Sequence, residues 1–142
     1  MDINEVQQEI IDEFGLFGNW LDKYNYLIEL SDKLPVIDPK YKTKEHLIDG
    51  CQSRVWLRGE LEGSRIRFTA DSDAIITRGI VALLIRVLSD REPKEIIDAD
   101  LYFIDEIGLR ENLSPTRSNG LLSMLKQMKL YAIAYQARQE AG

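Results

Sequence analysis

The spacing of apolar residues predicts two helices in the first third of the chain. The first is indicated by a run at helical intervals that stops at Gly15, formed by Ile3, Val6, Ile10, Ile11 and Phe14. Asn19 is a good N-cap for a second helix, whose apolar face carries Trp20, Tyr24, Leu27 and Ile28. The two prolines of Leu34-Pro35-Val36-Ile37-Asp38-Pro39 then predict an extended connector, because proline removes a backbone donor and restricts its neighbour.

A change of the period to two predicts a β-hairpin in the middle of the chain. Apolar and polar residues alternate from Arg54 to Leu61 and again around Ile66 to Phe68. Glu62-Gly63-Ser64 lies between these segments and is typical of a hairpin turn. We expect Glu45 to Ile48 to add a short third strand.

The second half of the chain is predicted to be helical. Asp71-Ser72-Asp73 is a helix-start signal, and the nearly continuous apolar run Ala74 to Leu88 predicts a helix buried across one face of the sheet. Further helices are expected from Pro93, within Leu101 to Gly108, and from Ser114-Pro115. The order of elements is helices, then a small antiparallel sheet, then helices. This order predicts a two-layer α+β fold, in one domain spanning residues 1–142.

Composition and charge narrow the classes of function. The 142 residues are 44% apolar and 30% charged, which is typical of a soluble globular domain. The net charge of −6 gives no electrostatic reason to bind nucleic acid or an anionic membrane. The segment Met1 to Phe14 lacks the pattern of a signal peptide, and the longest apolar stretch, Ile80 to Leu88, is too short to span a bilayer. The predicted compartment is the cytosol.

Cys51, in the stretch Gly50-Cys51-Gln52-Ser53, is the candidate reactive residue. It is the one cysteine, so an intramolecular disulfide is excluded. A single cysteine is most often a small buried apolar residue. A cysteine hydrolase would need a base, and His46 is the one histidine. An iron–sulfur scaffold or a zinc site needs three or four ligands, and a redox switch needs a second thiol.

One role needs a single cysteine, namely accepting sulfur from the persulfide of another protein. The chemistry is that of thiol–disulfide exchange, which depends on the thiolate fraction and on access to the sulfur. The apolar segments Leu47-Ile48 and Val55-Trp56-Leu57 flank the cysteine. They motivate the hypothesis that the loop shields a persulfide and that a partner exposes it.

Several ordered motifs resemble those of one family. Asp49-Gly50-Cys51-Gln52-Ser53-Arg54-Val55-Trp56 closely resembles the G-C-Q-S-x-V-W motif of the SufE/CsdE family of sulfur acceptors. Asn19-Trp20 with Lys23-Tyr24 resembles the second helix of that family, and Asp71-Ser72-Asp73-Ala74 its D-S-D-A segment. Leu113 to Gly120 resembles the opening of its last helix, so the similarity spans about residues 14 to 136.

The resemblance implies a fold shared with iron–sulfur scaffold proteins and a specific role for the thiol. Cys51 would accept sulfur from a cysteine desulfurase of the SufS/CsdA type, activate that enzyme, and pass the sulfur to a scaffold such as the SufBCD complex. PLP would belong to the desulfurase, and no cofactor or metal is expected on this chain. The supporting residues implied are Gly50, Gln52, Ser53, Asp73 and Arg117. An alternative is a non-catalytic regulator that activates the desulfurase by binding alone.

Overall fold

The first two helices begin at side-chain caps, and the second of these caps, Asn19, is the one that the sequence predicts. The computed structural model describes residues 1–141 and begins with α1 (Ile3–Phe14) and α2 (Trp20–Leu30). Asp2 and Glu5 form a capping box at α1, in which each carboxylate accepts from the other residue's backbone N–H. The Asn19 side chain accepts from the backbone N–H of Asp22 at 2.9 Å. The second contact confirms the predicted start of α2 at Asn19.

An antiparallel hairpin forms the sheet of the described residues. Strand β1 (Val55–Glu62) pairs with β2 (Arg65–Ser72), with Val55 opposite Ser72, and the turn falls at Gly63-Ser64. The predicted third strand at residues 45–48 is wrong. Lys44–His46 is a 3₁₀ turn, after which Leu47 forms only an isolated bridge with Trp56. The chain then turns at Asp49 and Gly50, so the pairing cannot continue.

The connector before this segment also contains short 3₁₀ turns, at Ser31–Lys33 and Pro39–Tyr41. Between them the chain is extended, as the prolines predict, and it touches the sheet. Val36 bridges Ala70 of β2, and the Ile37 N–H donates to the Ala70 carbonyl at 3.0 Å. The connector therefore follows β2 along its free edge.

The central helix, α3 (Ile75–Leu88), lies against β2 and the other long helices, and most of it is buried. It runs so close to α2 that a Cβ at Gly79 would lie 2.1 Å from the Leu27 carbonyl oxygen. The prediction that a helix starts at Asp71 to Asp73 is wrong by a few residues. β2 continues to Ser72, and α3 begins after Ala74 without a side-chain cap. The Asp71 carboxylate pairs instead with Lys42 and Arg78, at 3.1 and 2.6 Å.

The C-terminal half contains four helices in the described part of the chain: α4 (Pro93–Asp98), α5 (Phe103–Glu106), α6 (Leu109–Asn112) and α7 (Pro115–Ala141). The Tyr131 and Tyr135 hydroxyls of α7 donate to the carbonyls of Leu57 and Gly59 in β1, at 3.2 and 2.8 Å. Helices packed around one antiparallel sheet confirm the predicted α+β class. Within residues 1–141, no helix is both long and apolar enough to cross a membrane.

Alanine at position 79 tests the close packing of α2 on α3. Glycine to alanine within a helix ordinarily stabilises by about 0.5–1 kcal/mol. Here the new Cβ would meet the Leu27 carbonyl, so we expect Gly79→Ala to lower the free energy of unfolding by about 2 kcal/mol. Urea unfolding measures the difference. Gly18→Ala is the control, because a Cβ there meets nothing within 4 Å. A Gly79→Ala protein as stable as the wild type would contradict this packing.

Candidate functional site

The loop that carries Cys51 depends on glycine at position 50. Gly50 has φ +89°, a left-handed conformation that other residues adopt only at a cost. A Cβ at this position would also lie 2.6 Å from the Ser123 hydroxyl oxygen of α7. The loop therefore lies so close to α7 that the Ser123 hydroxyl would have to move aside for any side chain at position 50. Gly50 lets the chain turn so that Cys51 faces that helix.

The Cys51 thiol is half-buried against the backbone of α7. Its Sγ donates a weak hydrogen bond to the carbonyl oxygen of Gly120 at 3.6 Å. Burial raises the pKa of the Cys51 thiol, because a thiolate loses hydration there. The carbonyl also favours the protonated form, which can donate to it. In this conformation the sulfur is a neutral thiol rather than a nucleophile.

A cavity of about 340 Å³ opens beside the sulfur, and we call it the Cys51 cavity. It lies between the loop, α3 and α7, and its lining residues are Cys51, Gln52, Ser53, Thr77, Ile80, Thr116, Arg117, Gly120 and Met124. Ile80, Gly120 and Met124 are buried, whereas Gln52 and Arg117 are exposed. The cavity therefore has an apolar inner end and a polar rim.

The predicted supporting residues fall into two groups. Gln52, Ser53 and Arg117 line the Cys51 cavity, and the Arg117 guanidinium donates to the Tyr24 hydroxyl of α2. Asp73 is not among the lining residues. Its carboxylate accepts from the Arg54 N–H at 3.1 Å, and its own N–H donates to the Arg54 carbonyl at 3.3 Å. Asp73 thus fixes the end of the loop, where β1 begins.

The histidine does not form a pair with the thiol. His46 Nδ1 lies 3.2 Å from the Thr43 hydroxyl, and its ring packs edge-on against Tyr41. His46 does not line the Cys51 cavity, where the sulfur's partner is a backbone carbonyl. This arrangement gives the cysteine hydrolase alternative no general base. Over residues 1–141, no three His, Cys, Asp or Glu side chains are grouped so as to hold a metal ion.

Sequence reasoning missed the helical residues that surround the sulfur. Gly120 closes the motif at the start of α7, but nothing in the sequence places its carbonyl against Cys51. Thr77 is 6% exposed and lies in a helix that is otherwise almost wholly apolar along its buried side. One polar residue in such a helix was the available signal for a site.

The chain is similar to proteins of one family over nearly its whole length. Residues 8–132 match the family model described as SufE, Fe-S metabolism associated domain. An uncharacterized SufE-like protein of Rhizobium etli is 42% identical over 126 residues, covering 85% of each chain. One of Rhizobium meliloti is 40% identical over 126 residues, covering 85% of this chain and 90% of the relative.

A plant relative and a solved structure extend the comparison. SufE-like protein 1, chloroplastic/mitochondrial, of Arabidopsis thaliana is 37% identical over 134 residues, which are 94% of this chain but 36% of the plant protein. The solution structure of a hypothetical protein from Thermus thermophilus matches with a TM-score of 0.77 at 19% identity. It covers 93% of this chain and 96% of its own, and it shows that the two share a fold.

The loop conformation can be tested through the reactivity of the thiol. Gly50→Ala combines left-handed strain with the contact to Ser123, so we expect alkylation of Cys51 by iodoacetamide to become faster as the loop leaves α7. Gly63→Ala is the control, because Gly63 also has a positive φ, of 62°, but faces open space in the hairpin turn. Both variants should lose about 1 kcal/mol or more of stability from backbone strain. Equal alkylation rates in Gly50→Ala and Gly63→Ala would argue against the proposal that glycine at position 50 holds the loop against α7.

The buried thiol should also be visible in the pH dependence of its reaction. Since burial raises the pKa of Cys51, the alkylation rate of the folded protein should reach half its maximum at a higher pH than that of the urea-unfolded chain. Folding favours the protonated thiol. This preference stabilises the folded protein. The stabilisation is complete when the pH is below the pKa of Cys51 in the unfolded chain, and it is lost as the pH rises through the higher pKa of Cys51 in the folded protein. Cys51→Ser should not show this loss of stability at alkaline pH. Alkylation rates that reach half their maximum at the same pH in the folded and unfolded chains would refute the raised pKa of Cys51.

Proposed function

Because this chain belongs to the SufE family, whose domain is associated with Fe–S metabolism, we propose that it carries sulfur for iron–sulfur cluster assembly as a Cys51 persulfide. The donor in this proposal is a PLP-dependent cysteine desulfurase of the SufS/CsdA type, which the chain also activates. The acceptor is an assembly scaffold such as the SufBCD complex. The observation that supports it most is the half-buried thiol beside a cavity, held by a backbone carbonyl and without a base.

The proposed transfer is an exchange between sulfur atoms. Cys51 loses its proton, and its thiolate attacks the outer sulfur of the donor's persulfide. The bond between the two donor sulfurs breaks, the donor cysteine leaves as a thiolate, and a new bond joins the outer sulfur to Cys51 Sγ. One sulfur–sulfur bond replaces another, so no oxidant or reductant is consumed.

The resting geometry supports a requirement for the partner. In the loop conformation described above, the thiol is protonated and half-buried, and both properties oppose nucleophilic attack. We propose that docking on the desulfurase moves Cys51 away from Gly120 and into a more hydrated or more positive environment, where the thiolate fraction rises. Between encounters the same loop would shield the sulfur from other thiols and from oxidants.

The supporting residues have separate roles in this proposal. Arg117 is exposed at the rim of the Cys51 cavity, where it is available to a partner while it is positioned by the Tyr24 hydroxyl. Asp73 holds Arg54, so that the loop moves between fixed ends. Gln52 and Ser53 form the outer wall beside the sulfur. PLP belongs to the desulfurase, and we propose that this chain needs no cofactor or metal and works in the cytosol, where thiols are kept reduced.

Serine at position 51 separates sulfur transfer from activation by binding. We expect Cys51→Ser to bind the desulfurase as the wild type does, because one atom changes at a half-buried position. It should give no increase in the rate of alanine production from cysteine, since a serine hydroxyl cannot accept the sulfur. Steady-state rates with and without each protein, together with a pull-down of the complex, measure both properties. A serine variant that stimulates fully would favour the non-catalytic regulator instead.

A further inference from the structure

A threonine hydroxyl without a partner lies beside the reactive sulfur. Thr77 is in the first turn of α3, lines the Cys51 cavity and is 6% exposed. A threonine in a helix can donate its hydroxyl to a carbonyl three or four residues earlier. No hydrogen bond of the Thr77 hydroxyl is found within residues 1–141. A polar group this deeply buried normally has one, so the missing partner requires an explanation.

The Thr77 hydroxyl is not sealed in the packed core. Over the described residues, every side-chain nitrogen or oxygen that is sealed from solvent has a hydrogen-bond partner. The Thr77 oxygen has none, so it is not sealed, and the space beside it is the Cys51 cavity. Nor is a hydrogen bond found between this hydroxyl and the thiol, whose hydrogen bond in the described residues is the one to the Gly120 carbonyl. The hydroxyl and the thiol thus share a cavity without touching.

With a volume of about 340 Å³, the Cys51 cavity has room for one more sulfur atom. A sulfur–sulfur bond would place a second sulfur about 2.05 Å from Cys51 Sγ. At position 120 of α7 there is no side chain in the way, since Gly120 is a glycine and even a Cβ there would lie 3.6 Å from Sγ. The other inner walls, Ile80 and Met124, are apolar and offer the added atom no hydrogen bond.

We propose that the Thr77 hydroxyl donates a hydrogen bond to the outer sulfur of the Cys51 persulfide and so holds the loaded sulfur inside the cavity. The inference rests on the proposed function, because it assigns a partner to the atom that Cys51 would carry. Once that outer sulfur is deprotonated it is a charged acceptor, and hydrogen bonds to charged acceptors are the stronger ones. Thr77 forms and breaks no covalent bond in this role, so it is a positioning residue.

The role predicts a longer lifetime of the persulfide rather than a faster loading. Thr77→Val removes the hydroxyl at nearly constant volume, and Thr77→Ser restores it. Each protein is loaded with a cysteine desulfurase and cysteine and then separated from the enzyme. The loss of sulfur to dithiothreitol is followed by intact-mass spectrometry. We expect Thr77→Val to lose its sulfur about two- to tenfold faster than the wild type, the range of one hydrogen bond, and Thr77→Ser to behave as the wild type does.

Stability measurements distinguish this role from a structural one. Because the hydroxyl has no partner in the unloaded protein, Thr77→Val should unfold at the same urea concentration as the wild type or at a higher one. A clear loss of stability in both Thr77→Val and Thr77→Ala, with Thr77→Ser as stable as the wild type, would show that the hydroxyl supports the fold and would overturn the inference. Should Thr77→Val be poorly folded, Thr77→Ala provides the second variant without the hydroxyl.

The outcomes also separate this inference from the function on which it rests. A wild-type protein that never gains sulfur contradicts the proposed function, and the role of Thr77 falls with it. A wild-type protein that loads normally while Thr77→Val has an equal persulfide lifetime overturns the role of Thr77 alone. Equally short lifetimes of the serine and valine variants overturn it as well, because the hydroxyl would then not be the cause.

Discussion

The close approach of the cysteine loop to α7 is the constraint on which the site depends. Two glycines make it possible. Gly50 takes a left-handed conformation where a side chain would collide with Ser123, and Gly120 offers its bare backbone to the sulfur. The thiol is consequently half-buried, protonated and next to the Cys51 cavity. In the proposed function, this arrangement protects the sulfur at rest and makes its reaction depend on a partner.

The rest of the fold holds the two ends of that loop in place. Before the cysteine, the Ile48 N–H donates to the Val55 carbonyl at 2.8 Å. After it, Arg54 is bound by the backbone and carboxylate of Asp73. The buried Asp71, paired with Lys42 and Arg78, ties the connector to the end of β2. Removing one partner of a buried ion pair is costly, because it leaves a buried charge uncompensated. Any movement of Cys51 is therefore confined to the few residues between Ile48 and Arg54.

Local patterns predicted the helices and the hairpin well, because their signals are contained in the segments themselves. The caps at Asn19 and the turn at Gly63 need only neighbouring residues. The predictions failed where residues distant in sequence compete for the same side chain. The carboxylate of Asp71 suits a helix start, but Lys42 and Arg78 bind it at the end of a strand. The motif around Cys51 was visible in the sequence. Its hydrogen bond to Gly120 and its cavity shared with Thr77 depend on how α3 and α7 pack, which no local pattern records.

The central claim is that Cys51 holds a second sulfur atom for a time. Peptide-level mass spectrometry tests it most directly, after incubation of the protein with a PLP-dependent cysteine desulfurase and cysteine under anaerobic conditions, followed by alkylation. The account predicts the mass of one extra sulfur on the peptide that contains Cys51, absent when the desulfurase is omitted. A peptide that never gains that mass, with an enzyme shown to be turning over, would contradict it.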